Sequence, residues 1–498
     1  MKIEEMTRAD CSGCEACANI CPRNAIVMIR DVEGFAYPKI NRKLCIACGR
    51  CDMTCPALNL KKKIPQAFPK VFAAINPDEK IRRHSTSGGA FTALSKIFLR
   101  GGGIIFGAGF DENFHVRHMS AKTFDELENL RGSKYVQSQI GDVYRQVSGA
   151  LKSKAVLFSG TPCQCAGLKN FLGVDPENLL TVDIICHGTP SPALWECYIG
   201  ELGHGNEISH VNFRSKRDGW STSNVEINFF NRPRYFCPLN KETYGKLFLH
   251  GLIERPSCHR CKFKFPNGQA DLTLGDAWGV KNFAPEMFDN RGTSLILVHT
   301  SKGKKFFEHT NLHVQQVSLP DALKKNPRLI APSIADPRRG NFFSDYANAE
   351  DKFAVIQKYF HKDDKTLRPQ IDAYDKLNVA KRYQSIAAQI RQQFEKNILV
   401  VISSNEQKFF ANYFEQQFPN CGIYSLQPQE DKFICLEKFS SIVFTLKDFA
   451  ALNDFAKRFN VAEIFAERSL IIDSPPIKNW LDTCNLPIKI FSRANDSA

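Results

Sequence analysis

The run CSGCEACANICP at residues 11–22 returns in altered form as CIACGRCDMTCP at residues 45–56. Eight of the 18 cysteines lie in these two runs, and each run closes on Cys-Pro. Thiols at this density leave three solutions: disulfides, zinc or iron–sulfur clusters. Disulfides fit poorly. The chain opens MKIEEMTRAD, without the basic start, apolar stretch and small-residue cleavage site of a secretory leader. A cytoplasmic location is expected, where thiols stay reduced. Structural zinc commonly uses two ligand pairs split by a long gap, whereas here four cysteines crowd into eleven residues, twice.

The spacing C-x2-C-x2-C-x3-C-P belongs to the bacterial two-cluster ferredoxins, in which the fourth cysteine crosses to the other cluster. The expected ligand sets are therefore Cys11, Cys14, Cys17 and Cys55 for one [4Fe–4S] cluster, and Cys45, Cys48, Cys51 and Cys21 for the other. Pro22 and Pro56 lack an N–H and turn the chain away just after each crossing ligand.

At 498 residues the chain is long enough for about three domains. An apolar fraction of 43% suits a large core, and no apolar run reaches the length of a membrane span. The formal charge of +14 counts cysteines as neutral. Three [4Fe–4S] clusters, each with net charge of about −2 once ligated by four thiolates, would offset about six of those units. The Lys and Arg residues are scattered apart from KKK at 61–63. This excludes the basic stripe with interleaved aromatics of a nucleic-acid binder. A modestly basic surface is left, suited to an acidic redox partner or a phosphate-bearing cofactor.

The pattern divides the chain into an N-terminal two-cluster ferredoxin-like module (residues 1–62), a charged, proline-bearing linker (63–70), a central α/β core (71–345), a helical connector (346–395) and a small C-terminal α/β domain (396–498). AIVMIRDVEGFAYPKI, between the cysteine runs, reads as a short hairpin. FTALSKIFLRGG reads as an amphipathic helix with Phe91, Leu94 and Phe98 on one face and a glycine stop. KAVLFSGTPC, LLTVDIICHG and DLTLGDAWG each read as a strand ending in a glycine-containing turn, and the alternation of strands with helices argues for an α/β core. VNFRSKRDGWSTSNVEINFF reads as an inserted antiparallel hairpin. Tyr383, Ile386, Ala387, Ile390 and Phe394 make a packing stripe at helical spacing. In the last segment, Ser403, Ser404 and Asn405 follow a strand and read as a helix cap rather than a phosphate site. The segment is assigned no activity.

A second cysteine set is dispersed: Cys163 in GTPCQCAGL, Cys186 in IICHG, and Cys258 with Cys261 in RPSCHRCKF. Ligands of open α/β sheets gather outside the carboxyl ends of strands, and Cys163 and Cys186 both follow expected strand ends. Spacing alone leaves a third [4Fe–4S] cluster, a zinc site and buried free thiols open. Cys165 could replace Cys163. Cys197, Cys237, Cys421, Cys435 and Cys484 show no partner spacing.

HSTSGGAFTAL places Ser85, Thr86, Ser87, Gly88 and Gly89 before a helix. It reads either as a phosphate cradle at a helix N-terminus or as a plain N-cap. GSKYVQS supplies Lys134, able to neutralise a phosphate or reduced flavin, and Tyr135, able to stack on a ring. Asp276 and Trp278 stand at a strand end in GDAWG. His187, beside Cys186, reads as a partner of a backbone carbonyl sooner than a proton relay.

The segments STSGGAFTAL, GSKYVQS, SGTPCQCAGL, DIICHGTPSP, FRSKRDGW, RPSCHRCKF and ADLTLGDAWG, in that order over about residues 71–280, resemble the coenzyme F420 hydrogenase/dehydrogenase beta-subunit family in its form fused to a two-cluster ferredoxin. The resemblance implies an FAD-containing core with its own [4Fe–4S] cluster on Cys163, Cys186, Cys258 and Cys261. It also implies that Ser87, Gly88, Gly89, Thr92, Lys134, Tyr135 and Asp276 lie near flavin or substrate, with Lys134, Tyr135 and Asp276 the catalytic candidates. Cys165 departs from the family, which more commonly has an apolar residue there, and the last hundred residues lie outside the match. The function expected is an iron–sulfur flavoprotein oxidoreductase. It would move electrons between a redox partner protein or ferredoxin, three clusters, FAD and a small molecule, either coenzyme F420 or another organic acceptor such as a precursor in polysaccharide assembly. The rival expectations are a flavin-free, ferredoxin-like electron carrier within a larger complex, and a zinc-bearing regulatory protein.

Overall fold

Each cysteine run folds the same way. Gly13 and Glu15 in the first, and Ala47 and Gly49 at the equivalent places in the second, are left-handed, with φ of 67°, 61°, 53° and 69°. A short helix follows in each case, Ala16–Ile20 and Arg50–Thr54. Both helices stop where they do because the next residue precedes a proline, which excludes the helical region for it. Cys21 and Cys55 accordingly take φ/ψ of −67°/114° and −63°/117°. Between the runs, Ile26–Arg30 pairs antiparallel with Ala36–Ile40. Asp31 closes that turn by accepting the Glu33 and Phe35 amides, both at 3.0 Å.

The computed structural model describes residues 2–60, 69–361 and 368–386 in full. It also describes the backbone of the helix Leu367–Gln393 and of the strands Asn397–Val401, Gly422–Gln429, Lys432–Glu437, Val443–Leu446, Val461–Glu467 and Ile488–Phe491. Residues 1–64 and 69–383 make one compact unit, and residues 384–498 belong to a second.

The first unit is built on an eight-stranded mixed sheet. Across it run His313–Val317, Lys70–Ile75, Ser294–Val298, Leu272–Asp276, Leu179–Ile184, Val156–Gly160, Ile104–Phe110 and Val116–Ala121. The four strands from Leu272–Asp276 to Ile104–Phe110 are mutually parallel, and the remaining neighbours are antiparallel. The central strands are buried along most of their length, which is why AVLF and LLTV read as near-continuous apolar runs. The helix Ala90–Arg100 packs Leu94 and Phe98 against Ile105, Leu157 and Leu180.

The 208–238 segment gains a third strand over the expected hairpin. Ile208–Ser215, Asn224–Phe229 and Tyr235–Pro238 form a separate antiparallel sheet. It lies in an aromatic core with Trp195, Tyr198, Tyr244 and Phe248, and Phe35 from the N-terminal hairpin is buried in the same core. Burying one such side chain stabilises by roughly 2–3 kcal/mol, so the cysteine module is fixed to the core by packing. Polar clamps add to this: Glu15 accepts the Ile140 and Gly141 amides at 3.0 Å each, and Arg145 donates to the Asn19 carbonyl at 2.7 Å.

Helices Arg339–Asn348, Lys352–His361 and Leu367–Gln393 follow. The second unit contains a six-stranded sheet in the order Val443–Leu446, Lys432–Glu437, Gly422–Gln429, Asn397–Val401, Val461–Glu467, Ile488–Phe491. Asn397–Val401 is parallel to both its neighbours. Ser403, Ser404, Asn405, Cys421 and Cys484, and the linker residues 63–68, lie outside the described residues.

Candidate metal centre

Cys11, Cys14, Cys17 and Cys55 line one small cavity, together with Ile3, Met6, Met28 and Pro38. These are the first three cysteines of one run and the last of the other. Their thiols act on one another. Burial and then the nearby Cys55 push Cys14 well up. Burial and then Cys11 and Cys55 push up Cys17, and burial, with Cys11 adding to it, raises Cys55. Backbone N–H groups of Ala16 and Ala18 offset part of this for Cys14 and Cys17. Such crowded sulfurs ionise together only beside a cation, and metal binding releases their protons.

Of the other set, Cys48 is exposed, while Cys21 and Cys51 pack on the apolar cluster of Ile3, Ile26 and Cys55. Cys21 accepts the Ala25 amide at 3.2 Å and Cys45 the Ala47 amide at 3.4 Å. Left-handed residues set in a loop turn successive amides toward one side, a nest that favours an anion. The donor set therefore suits an anionic thiolate-ligated cluster at both runs. Among the described residues no three Cys, His, Asp or Glu side chains close on a single metal ion, and none of the described cysteines is in a disulfide.

A further four cysteines meet at the carboxyl edge of the main sheet. Val156–Gly160 and Leu179–Ile184 are parallel neighbours, so the segments that follow them emerge side by side. Cys163 lies in the first turn of the helix Pro162–Leu172, and Thr161 and Gln164 form its capping box. Cys186 follows the second strand. Cys258 lies in the turn Pro256–Arg260 and Cys261 caps that turn. Burial and then Cys261 push Cys163 up to about 11. Burial, then Glu254 and Cys261, push Cys258 up to about 12. Burial pushes Cys186 well up, Lys264 works against it, and Cys258, Cys163 and Cys261 add to it. The Thr189 amide reaches Cys258 Sγ at 3.4 Å. Cys165 turns away from this group: its thiol is buried and points at the Val182 carbonyl, 3.7 Å away.

The helix Pro162–Leu172 joins the two thiol groups. A Cβ on Gly167 would stand 3.2 Å from Cys14 Sγ and 2.9 Å from the Tyr144 hydroxyl, so only glycine permits this approach. Gly167 is four residues, about 6 Å of helical rise, beyond Cys163.

The expected cofactor residues lie along the same sheet edge. Asp276 pairs with Ser294 and Ser294 with Ala74 across adjacent strands. The Ser294 hydroxyl takes the Gly88 amide at 2.9 Å, so that N–H is not free to cradle a phosphate. Ser87 donates to the Thr293 carbonyl at 2.7 Å. Gly89, at φ 87°, starts the helix, and the buried Thr92 hydroxyl has no partner among the described residues. Ser133 bonds Thr86 at 2.9 Å and so holds the Lys134–Tyr135 loop beside this segment. Lys134 donates to the Asn129 and Arg131 carbonyls, and burial pushes it down to about 7.

Three residues not evident from the sequence tie the set together. Arg214 Nη1 donates to the Tyr135 hydroxyl at 3.1 Å and to Asp276 at 3.0 Å. Trp220 Nε1 donates to the other Asp276 oxygen at 2.9 Å, and its ring stacks on Trp278 at 4.8 Å and 5°. Lys216, pushed down to about 7 by burial, donates to the carbonyls of Arg82, Ser87 and Arg291. All three lie in FRSKRDGW. The available signal was this cluster of basic residues running into a Gly-Trp turn. Arg214 Nη2 is buried without a partner among the described residues. His187 departs from expectation, since its Nδ1 pairs with the buried Glu254 carboxylate at 2.9 Å instead of a backbone carbonyl.

Residues 10–59 match the 4Fe-4S dicluster domain, and residues 153–318 match the family described as the C terminus of the coenzyme F420 hydrogenase/dehydrogenase beta subunit. An uncharacterized polyferredoxin-like protein of Methanocaldococcus jannaschii is 36% identical over 14% of this chain, and the match spans 43% of that relative, less than half its length. The ketoisovalerate oxidoreductase subunit VorC of Methanothermobacter marburgensis is 34% identical over 11% of this chain and 71% of its own length. A solved structure of the F420-reducing [NiFe] hydrogenase complex from Methanosarcina barkeri aligns over 60% of this chain and 93% of that chain, with 16% identity and a TM-score of 0.37. Among the described residues no helix is long and apolar enough to cross a membrane. The chain thus joins an N-terminal region that matches the 4Fe-4S dicluster domain to a central region that matches the C terminus of the coenzyme F420 hydrogenase/dehydrogenase beta subunit.

Proposed function

We propose that this iron–sulfur electron-transfer protein is an FAD-dependent oxidoreductase with three [4Fe–4S] clusters. It exchanges electrons between a protein partner and a small organic substrate, coenzyme F420 or another acceptor. The observation that carries the reading is the meeting of Cys163, Cys186, Cys258 and Cys261 at the sheet edge, with Cys163 on the helix that abuts Cys14. Cys11, Cys14, Cys17 and Cys55 would hold one cluster, Cys45, Cys48, Cys51 and Cys21 the second, and the core four the third. Bound clusters supply single electrons, and a flavin links these to two-electron hydride chemistry.

The chain's own part is binding and orientation. Tyr135 and Asp276 hold Arg214 through Nη1 and leave its Nη2 spare, a donor suited to an anionic group of flavin or substrate. The stacked Trp220 and Trp278 shield this ion pair from water. Ser87, Gly88, Gly89 and Thr92 form the adjoining wall. Lys134, with its ammonium balanced near neutrality, can hold or release a proton there.

The partner docks where the second run reaches the surface. Leu44, Ile46 and Met53 are 44%, 59% and 66% exposed around exposed Cys48. The exposed Lys43 and Arg50 favour an acidic one-electron carrier.

Anaerobic purification with iron, sulfide and flavin analysis tests the reading. About twelve irons and one FAD per chain are expected. Iron without flavin would instead make the chain an electron carrier within a larger complex, and zinc with little iron would overturn both readings. Cys258→Ser should remove about four irons and leave the N-terminal pair. Mixing with reduced F420 and following its absorbance then separates that substrate from other acceptors.

A further inference from the structure

Arg255 is wholly removed from solvent. Its Nε donates to the Cys11 carbonyl at 2.8 Å, Nη1 to Gln137 at 3.1 Å and Nη2 to the Ala36 carbonyl at 3.0 Å. Nη2 also reaches Cys11 Sγ at 3.7 Å. The guanidinium lies over the Tyr37 ring at 4.1 Å and the Phe35 ring at 5.4 Å. Gly13, left-handed at φ 67°, makes room for it, since a Cβ there would stand 2.7 Å from Nη1.

No carboxylate among the described residues forms an ion pair with this cation. The nearby Glu15 carboxylate attracts this cation without an ion-pair contact, its oxygens being taken by the Ile140 and Gly141 amides. A buried charge is costly unless an opposite charge faces it. The group it faces is Cys11, at the wall of the cavity of Cys14, Cys17 and Cys55. A thiolate-ligated cluster in that cavity, with net charge of about −2, would supply an anion in direct contact with it. The backbone of Arg255 serves the other thiol group. Its carbonyl accepts the Cys258 amide at 2.9 Å, and its amide donates to the Thr189 carbonyl at 3.0 Å, while Thr189 in turn bonds Cys258 Sγ.

We propose that Arg255 is a positioning residue that raises the reduction potential of the cluster held by Cys11, Cys14, Cys17 and Cys55, so that an electron rests there, beside the core site. Reduction adds one electron and takes up no proton. The fixed guanidinium offsets the added negative charge, and its N–H···S contact stabilises the reduced sulfurs. The inference rests on the cluster assignment made under Proposed function.

The test is a dithionite titration of the anaerobic full-length protein, followed by electron paramagnetic resonance, for wild type, Arg255→Gln and Arg255→Lys. Iron and sulfide are measured on each sample. Arg255→Gln should move one cluster to lower potential and leave the other two in place, and Arg255→Lys should move the same cluster less. In wild type labelled with 15N at arginine side chains, pulsed measurements on that cluster should show a 15N coupling that Arg255→Lys abolishes. Unchanged potentials in an iron-replete Arg255→Gln sample would overturn the role. So would the lack of a 15N coupling in wild type, which decides the matter even if the glutamine variant does not fold. Absence of iron from wild type would instead remove the cluster assignment, and this inference with it.

Discussion

Asp276 bonds both Arg214 and Trp220 through different oxygens. Asp276→Asn replaces one acceptor by a donor and removes the charge, which leaves a buried guanidinium unpaired and costs about 3–5 kcal/mol locally. If the proposed flavin site is right, the expected result is protein that retains its iron but loses most of its flavin, measured by absorbance after denaturation. Iron and flavin lost in equal proportion would mean that the residue serves only the fold.

His118 offers a second test of a single side chain. It donates from Nε2 to the Ser159 carbonyl at 3.0 Å, meets the Ser138 hydroxyl at Nδ1 at 3.0 Å and stacks on Phe158. Burial pushes its pKa down to about 4. The folded state thus keeps the neutral ring while the unfolded chain takes up a proton near pH 6.5, so stability is lost as pH falls from about 6.5 to about 4. At about pH 5.5 the loss is on the order of 1 kcal/mol. Thermal melts of wild type and His118→Gln should therefore draw closer between about pH 7.5 and about pH 5.5. A constant difference across that range would refute the buried neutral ring.

At the scale of elements, the helix Pro162–Leu172 carries Cys163 at one group and presses Gly167 on Cys14 at the other. Gly167→Ala demands that Cys14 or Tyr144 yield. Overpacking of this kind costs about 1–3 kcal/mol. Part of the loss should appear as iron missing from the N-terminal module, read by chemical analysis and by the melting temperature. The strands and helices around this site were largely legible. Cys163 and Cys186 follow, and Asp276 ends, short β-rich runs that lead into glycine turns, and those runs lie next to one another in the sheet. The antiparallel strand Ser294–Val298, wedged between Leu272–Asp276 and Lys70–Ile75, was not legible, because strand order depends on contacts that no local pattern records. Arg214, Lys216 and Arg255 escaped for a related reason. A basic residue is most often solvated, and only long-range neighbours, such as Cys11 for Arg255, mark these as buried.

For the molecule as a whole, the N-terminal module is part of the same compact unit as the core. Phe35 lies among the core aromatics, and Arg30 forks onto Glu196 with two bonds of 2.7 Å. Phe35→Ala should cost about 3–5 kcal/mol. It should also make the chain more susceptible to limited proteolysis that releases a fragment carrying the first eight cysteines. A variant no more sensitive than wild type would argue against packing as the anchor. The reading of residues 1–60 as a unit came from cysteine spacing, which is local. That this unit is fastened to the core depends on Phe35, Glu15 and Arg255, whose partners are far away in sequence.

The duplicated loops share one backbone but not one environment. The copy around Cys14 is enclosed by Gly167 and Tyr144, and the copy around Cys48 opens to solvent. Duplication has thus produced an inner and an outer member with unequal resistance to chemical attack. On the proposed cluster assignment, oxygen, peroxide and chelators should strip the outer site first and spare its twin, so a batch handled carelessly would lose iron from one run while the other stayed loaded.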